Sequence, residues 1–278
     1  MCIRDSTNAI PGITVLMPNK DIRGEDYDTY FSFRMSHTPT VLATAASTQV
    51  TSTGTHVGTA QLGEDPLPWL YQYPGILQPT PSLAVSAEGK GVVTSSPELD
   101  GVTRRVPLVV NSQGKLYPSF ALELLRVAIQ DPSYQLKTGE EGIEWIRVPN
   151  YPLMNTDANG RIFLNWNTKF YKQTGSEFVN KPIEAPFVIV GTTAEGVTNP
   201  VPTPAGPKYP HEIQANILHN LIQGTAPSSP SWALAVEYAV AILAFLTLAF
   251  ASRSIWLSVP ALALFTVGSS YGAWYAYQ

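Results

Sequence analysis

Charge and cysteine are what this sequence has least of. Asp, Glu, Lys and Arg make up only 14% of its 278 residues, and Cys2 is the single cysteine. One thiol forms no internal disulfide, and no Cys/His spacing suits a structural zinc. Lys and Arg number 17 against 21 Asp and Glu, a formal net charge of −4, and no basic cluster interleaves with aromatics. That excludes nucleic acid as a partner, because a phosphate groove needs a concentrated positive field. No cofactor-binding loop is found either. "EGKG" at Glu88–Gly91 lacks the leading glycine and the hydroxyl residue of a P-loop, and "GTTAEG" from Gly191 to Gly196 lacks the dinucleotide spacing. There is no G-x-S-x-G nucleophile elbow, and Cys2 is not a credible nucleophile. His211 and His219 stand eight residues apart without a third ligand, whereas helical metal pairs use i, i+4. They are read as solvent-facing, and Glu140–Glu141 and the run Glu25, Asp26, Asp28 as solvated turn carboxylates. No catalytic residue and no metal ligand is assigned.

Apolar residues are plentiful, and the tail concentrates them. Trp232 to Ala251 carries one charge, Glu237 near its start, and Ser254 to Tyr277 carries none. At about 1.5 Å per residue each segment matches a hydrocarbon core of roughly 30 Å, so both are expected to be transmembrane helices. Trp232, Tyr238, Trp256, Trp274 and Tyr277 lie toward the segment ends, as interfacial aromatics do. Glu237 lies close enough to Trp232 for the headgroups to solvate it. Arg253, between the two segments, is the only Lys or Arg after Lys208. Positive loops stay cytoplasmic, which places the turn inside and the residues before Trp232 outside the cell membrane. "MCIRDS" has no apolar core and no cleavage site, so residues 1–6 are set aside as a non-native scar.

The remainder, residues 7–224, reads as mixed α/β, a sheet in two or three layers, joined to the tail by a Pro/Ser-rich linker at 225–231. Strands are expected at Thr40–Ala46 and Gly91–Ser95. "RRVPLVVNSQGKLYPS" has two apolar runs around a turn at Asn111–Gly114, a hairpin pattern. It leads into a helix with Phe120, Leu124 and Ala128 on one stripe and Ser119 as cap. A turn at Asp157–Gly160 precedes a strand at Ile162–Trp166. "PFVIV" reads as a strand buried on both faces with a functional loop after it. "YPHEIQANILHNLIQG" reads as a helix with Ile213, Ile217, Leu218 and Leu221 inward and Gly224 as stop. Residues 47–90 show little periodicity and read as an irregular insertion. Arg104 and Arg105, on opposite faces of a strand, suit a structural ion pair better than an anion site.

Several motifs recur in a familiar order. They are Asp100-Gly101 with Arg104, Arg105 and Pro107; Tyr117-Pro118-Ser119 followed by Ala121, Leu122 and Glu123; Val190 to Ala194; Thr203-Pro204; and Ala215-Asn216. This order resembles the CHASE domain of type 2, over about residues 20–278. The resemblance implies an extracytoplasmic sensor domain ahead of adenylate or guanylate cyclase, histidine kinase or Ser/Thr kinase modules. It also implies a homodimer, and segments lost at both ends, among them a first membrane helix and the catalytic output.

The chain is therefore expected to be the sensory head and membrane anchor of a bacterial receptor, responding to an extracytoplasmic small-molecule or protein ligand. An envelope-anchored hydrolase and a structural or transport membrane subunit are the alternatives. Arg105, Tyr117, Asn165 and Trp166 are the ligand candidates, as polar or aromatic groups at strand ends, where ligands bind in α/β sheets.

Overall fold

The computed structural model describes residues 10–13, 27–49, 57–94, 98–166, 168–181, 185–194, 198–227, 233–251, 260 and 265–272. Two compact units divide the chain, residues 1–228 and 229–278. The first unit opens with β1 (Ile10–Ile13), α1 (Tyr27–Met35), β2 (Val41–Ser47), β3 (Gly58–Gly63), β4 (Gln72–Tyr73), β5 (Gly75–Leu77), α2 (Pro81–Ser86) and β6 (Gly89–Val92). Then come β7 (Arg105–Pro107), β8 (Val109–Ser112), β9 (Lys115–Pro118), α3 (Phe120–Ala128), β10 (Ser133–Gly139), β11 (Gly142–Arg147) and β12 (Met154–Asn155). It ends with β13 (Arg161–Phe163), α4 (Gly175–Asn180), β14 (Phe187–Val190) and α5 (Pro210–Gln223).

The mixed α/β expectation holds, but the strands are shared among four sheets rather than gathered in one. The largest runs β14-β1-β2-β6 with all neighbours parallel, and β5 pairs antiparallel with the end of β2. A second sheet has the order β12-β11-β10-β3, a third is the ribbon β7-β13, and a fourth is β4-β8-β9. Residues 47–90 are not an irregular insertion: they hold β3, β4, β5, α2 and the start of β6. Strands β4 and β5 run two and three residues, too short for the alternation that marks a strand in sequence, and six-residue β3, GTAQLG, does not alternate. Both β3 and β4 find partners far along the chain, in β10 and β8.

The expected hairpin is β8–β9, closed by Gln113 and Gly114, both at positive φ (53° and 75°), as a two-residue turn matched to strand twist requires. The oxygen Oδ1 of Asn111 accepts the Gly114 N–H at 3.0 Å. At the end of β9, the Ser119 hydroxyl accepts the Leu122 N–H and starts α3. Phe120, Leu122, Leu124 and Leu125 are buried, and a fully buried side chain of this kind contributes about 1.5–3 kcal/mol. The helix lies directly on β6. A Cβ at Gly91 would fall 2.3 Å from Cα of Phe120, and one at Gly89 would fall 2.6 Å from Oε1 of Glu123. That accounts for the Gly-Lys-Gly sequence: it lets a helix rest on bare backbone and cradles no phosphate. Glu123 is wholly buried and takes two hydrogen bonds from Arg126, both at 2.8 Å.

Helix α5 packs on α3 and buries Ile213, Ile217, Leu218 and Leu221, as expected, and stops at Gly224 in the left-handed region (φ 65°). Strand β14 departs from expectation. All four of its residues are half-buried rather than enclosed on both faces.

The second unit contains α6 (Ala233–Ala251), 19 residues whose one charged side chain is Glu237. Residues 265–272 are also helical. Among the described residues no helix is long and apolar enough to cross a membrane. The expected span 254–277 lies largely outside the described residues, as do Trp232, Arg253 and residues 1–6.

Candidate functional site

A cleft of about 1010 Å³ opens in the first unit beside β14. Three stretches form it: residues 170–178, residues 185–194 and the outer face of α5 from His211 to Ile222. Each is placed by ordinary local chemistry. The 170–178 stretch ends in α4, whose first turn carries a capping box. There the Thr174 hydroxyl accepts the Glu177 N–H, and the Glu177 carboxylate accepts the Thr174 N–H at 2.8 Å. That capping holds the Glu177 carboxyl below its ordinary range. Parallel pairing to β1 holds β14, and the loop after it is pinned where the Thr192 hydroxyl accepts the Ala194 N–H at 3.2 Å. Helix α5 presents its buried stripe to the core and its other side to the cleft.

Rings dominate the lining. Phe170 meets His219 edge-on with centroids 6.2 Å apart, and Phe178 and Phe187 add to the wall. Tyr209 stacks on His211 at 5.8 Å. Neither histidine faces solvent as the sequence suggests. Both are half-buried cleft residues, because two turns of helix carry them onto one side, where β14 and the Phe170 segment cover them. Burial, the dominant cause, pushes the His211 imidazole below its ordinary range, with Glu212 opposing and Lys172 adding to the shift. Lys172 pairs with Glu212, whose other oxygen accepts the Tyr209 N–H at 2.7 Å and so closes the first turn of α5. Gln173 donates to the Tyr171 hydroxyl at 3.0 Å, while its own Oε1 is shut off from solvent and accepts nothing among the described residues. Neither imidazole is hydrogen-bonded to a hydroxyl or a carboxylate among the described residues. The arrangement suits holding a molecule better than activating a nucleophile.

None of the four strand-end candidates lines this cleft. Arg105 lies on β7, with Nε donating to Glu98 at 2.7 Å, Nη1 to Asp157 at 3.3 Å, and its guanidinium over the Phe163 ring. Arg104 binds Asp100 and Glu98, so both arginines form the expected ion pairs. Asn165 and Trp166 follow directly after β13, the partner of β7; the Asn165 N–H donates to Oδ1 of Asn220 on α5 at 3.2 Å, and Trp166 packs on the core. Tyr117 sits apart on β9, buried with Ile76, Val92 and Val110, and burial raises its phenol above the ordinary range. The structure thus gathers three of the four along one ribbon and leaves Tyr117 in another sheet. Sequence reasoning leaves Phe170 and Gln173 unremarked and reads His211 and His219 as solvent-facing, while the loop it singles out after β14 does form one wall.

No curated protein and no solved structure matches the chain. A family model, the CHASE2 domain, matches residues 8–252, and so runs from β1 through the end of α6. Members of this family are extracytoplasmic sensor domains of signalling receptors, and this chain belongs to the CHASE2 domain family.

Proposed function

We propose that this chain is the sensory head and membrane anchor of a bacterial transmembrane receptor. Its ligand binds in the cleft walled by β14 and α5, and its output is an adenylate or guanylate cyclase, or else a histidine or Ser/Thr kinase. One observation carries the reading: a sensor family covers residues 8–252, taking in both the clefted α/β unit and the apolar helix that follows it. The sequence supports the anchor, since the twenty residues Trp232 to Ala251 hold a single carboxylate and about 17–25 apolar residues span a bilayer. The lone Arg253 after it supports an inward-facing turn, which leaves the head outside the inner membrane. Cyclase and kinase outputs work in pairs, so the receptor is a homodimer. Arg105, Asn165 and Trp166 on the β7–β13 ribbon, together with Tyr117, remain a second ligand surface to be tested by substitution. The ligand acts by binding one of two arrangements of the head better than the other.

Cysteine labelling tests the topology. With Cys2→Ser as background, Ser176→Cys should react with an impermeant maleimide in intact spheroplasts, and Arg253→Cys only after lysis. The reverse pattern refutes the reading. A head that turns over esters or glycosides in a hydrolase screen would favour an envelope enzyme instead.

A further inference from the structure

We infer that the cleft takes an uncharged planar ring compound, and discriminates against the same ring carrying a charge. The inference rests on the reading of the cleft as the ligand site, and two observations carry it.

The first is the wall. Phe170, Tyr171, Phe178, Phe187 and the imidazole of His219 line the space, with Phe170 and His219 already in edge-on contact. Such walls bury flat rings in offset or edge-on geometry. The second is charge. Among the described residues that line the cleft, three carry fixed charges, Lys172, Glu177 and Glu212, and each is engaged. Lys172 is paired with Glu212, Glu212 also closes the start of α5, and Glu177 closes the start of α4. The helix terminus that would otherwise attract an anion already has a carboxylate on it. A charged ligand would lose its hydration and find no free counter-charge among the described residues, which is the costly case.

Three probes separate these ideas: indole-3-acetamide, indole-3-acetate and tryptamine share one ring and differ in charge. The full chain in lipid nanodiscs is titrated with each by calorimetry, with empty nanodiscs subtracted. Indole-3-acetamide should bind saturably at one site per chain, about tenfold tighter than either charged analogue. Thr193→Trp, at an exposed position on the rim, should abolish it by filling the mouth while leaving the melting temperature in place. The inference is overturned if a charged analogue binds as tightly as the amide, if Thr193→Trp leaves amide binding unchanged, or if no probe binds. In the first case blockage by Thr193→Trp still marks the cleft as the ligand site, and only the ligand class falls. In the last, the maleimide labelling decides the receptor reading independently.

Discussion

A Cβ built on Gly191 would lie 2.3 Å from Cγ of His211. The exit of β14 and the first turn of α5 therefore touch with no side chain between them. The ring of His211 sits against the main chain of the loop that forms the other side of the cleft. A methyl group there presses on the root of the imidazole, which has no freedom to swing away.

Gly191→Ala should accordingly destabilise the head by about 1–3 kcal/mol, the usual cost of overpacking, and weaken ligand binding at the same time. Thermal unfolding of the full chain checks the first effect. An unchanged melting temperature would show that the loop can lift off α5.

His211 also makes stability depend on pH. Its folded value is lowered, mainly by burial, so between the two values the unfolded chain binds more protons than the native one. Stability is then complete above the unfolded value of about 6.5 and declines as the pH falls through it. His211→Gln should flatten that part of the profile, measured as urea midpoints at about pH 7.5 and about pH 5.5.

Among the described residues Glu123 and Arg126 form the most buried ion pair, with side-chain exposures of 0% and 11%. Glu123→Ala leaves a guanidinium without its counter-charge and should cost about 3–5 kcal/mol, while Glu123→Leu with Arg126→Met should recover most of the loss. Chemical denaturation of the single and double variants gives the comparison. Equal losses in both would mean that volume, not charge, governs the site.

Asp100 is held at about 2, first by its hydrogen bonds from Arg104 and then by the Val102 N–H. A depressed carboxylate adds stability above its unfolded value of about 3.9, which is lost as the pH falls through the folded one. Carbon-13 titration of the Asp100 carboxyl should show a midpoint near 2. Arg104→Gln should move it back toward the ordinary range.

The elements legible in the sequence were those whose signals are local. The stripe of Phe120 and Leu124 marks α3, the Ser119 hydroxyl caps it, and Ile213, Ile217, Leu218 and Leu221 mark α5. Motif order reaches the family as well, since Arg104, Arg105, the Tyr-Pro-Ser run and the Gly-Thr-Thr loop are all contiguous strings. What depends on distant pairing stays hidden: β3 has no alternation and exists because β10 lies beside it. The cleft is hidden for the same reason, being assembled from three separated stretches, with Gln173 and His219 meaningful only after they meet. The end of β7 places Arg105 within reach of Glu98 and Asp157, and position along a strand does not distinguish a ligand contact from an ion pair.

The glycine pair of β6 has a bearing on how such a head can respond. Where α3 sits on naked peptide there is no cushion of methyl groups to shear, and close-packed matter of this kind yields little. On the proposed reading of the cleft, any yielding to a bound ligand is expected on the far flank, among the aromatic walls and the loop beneath Gly191.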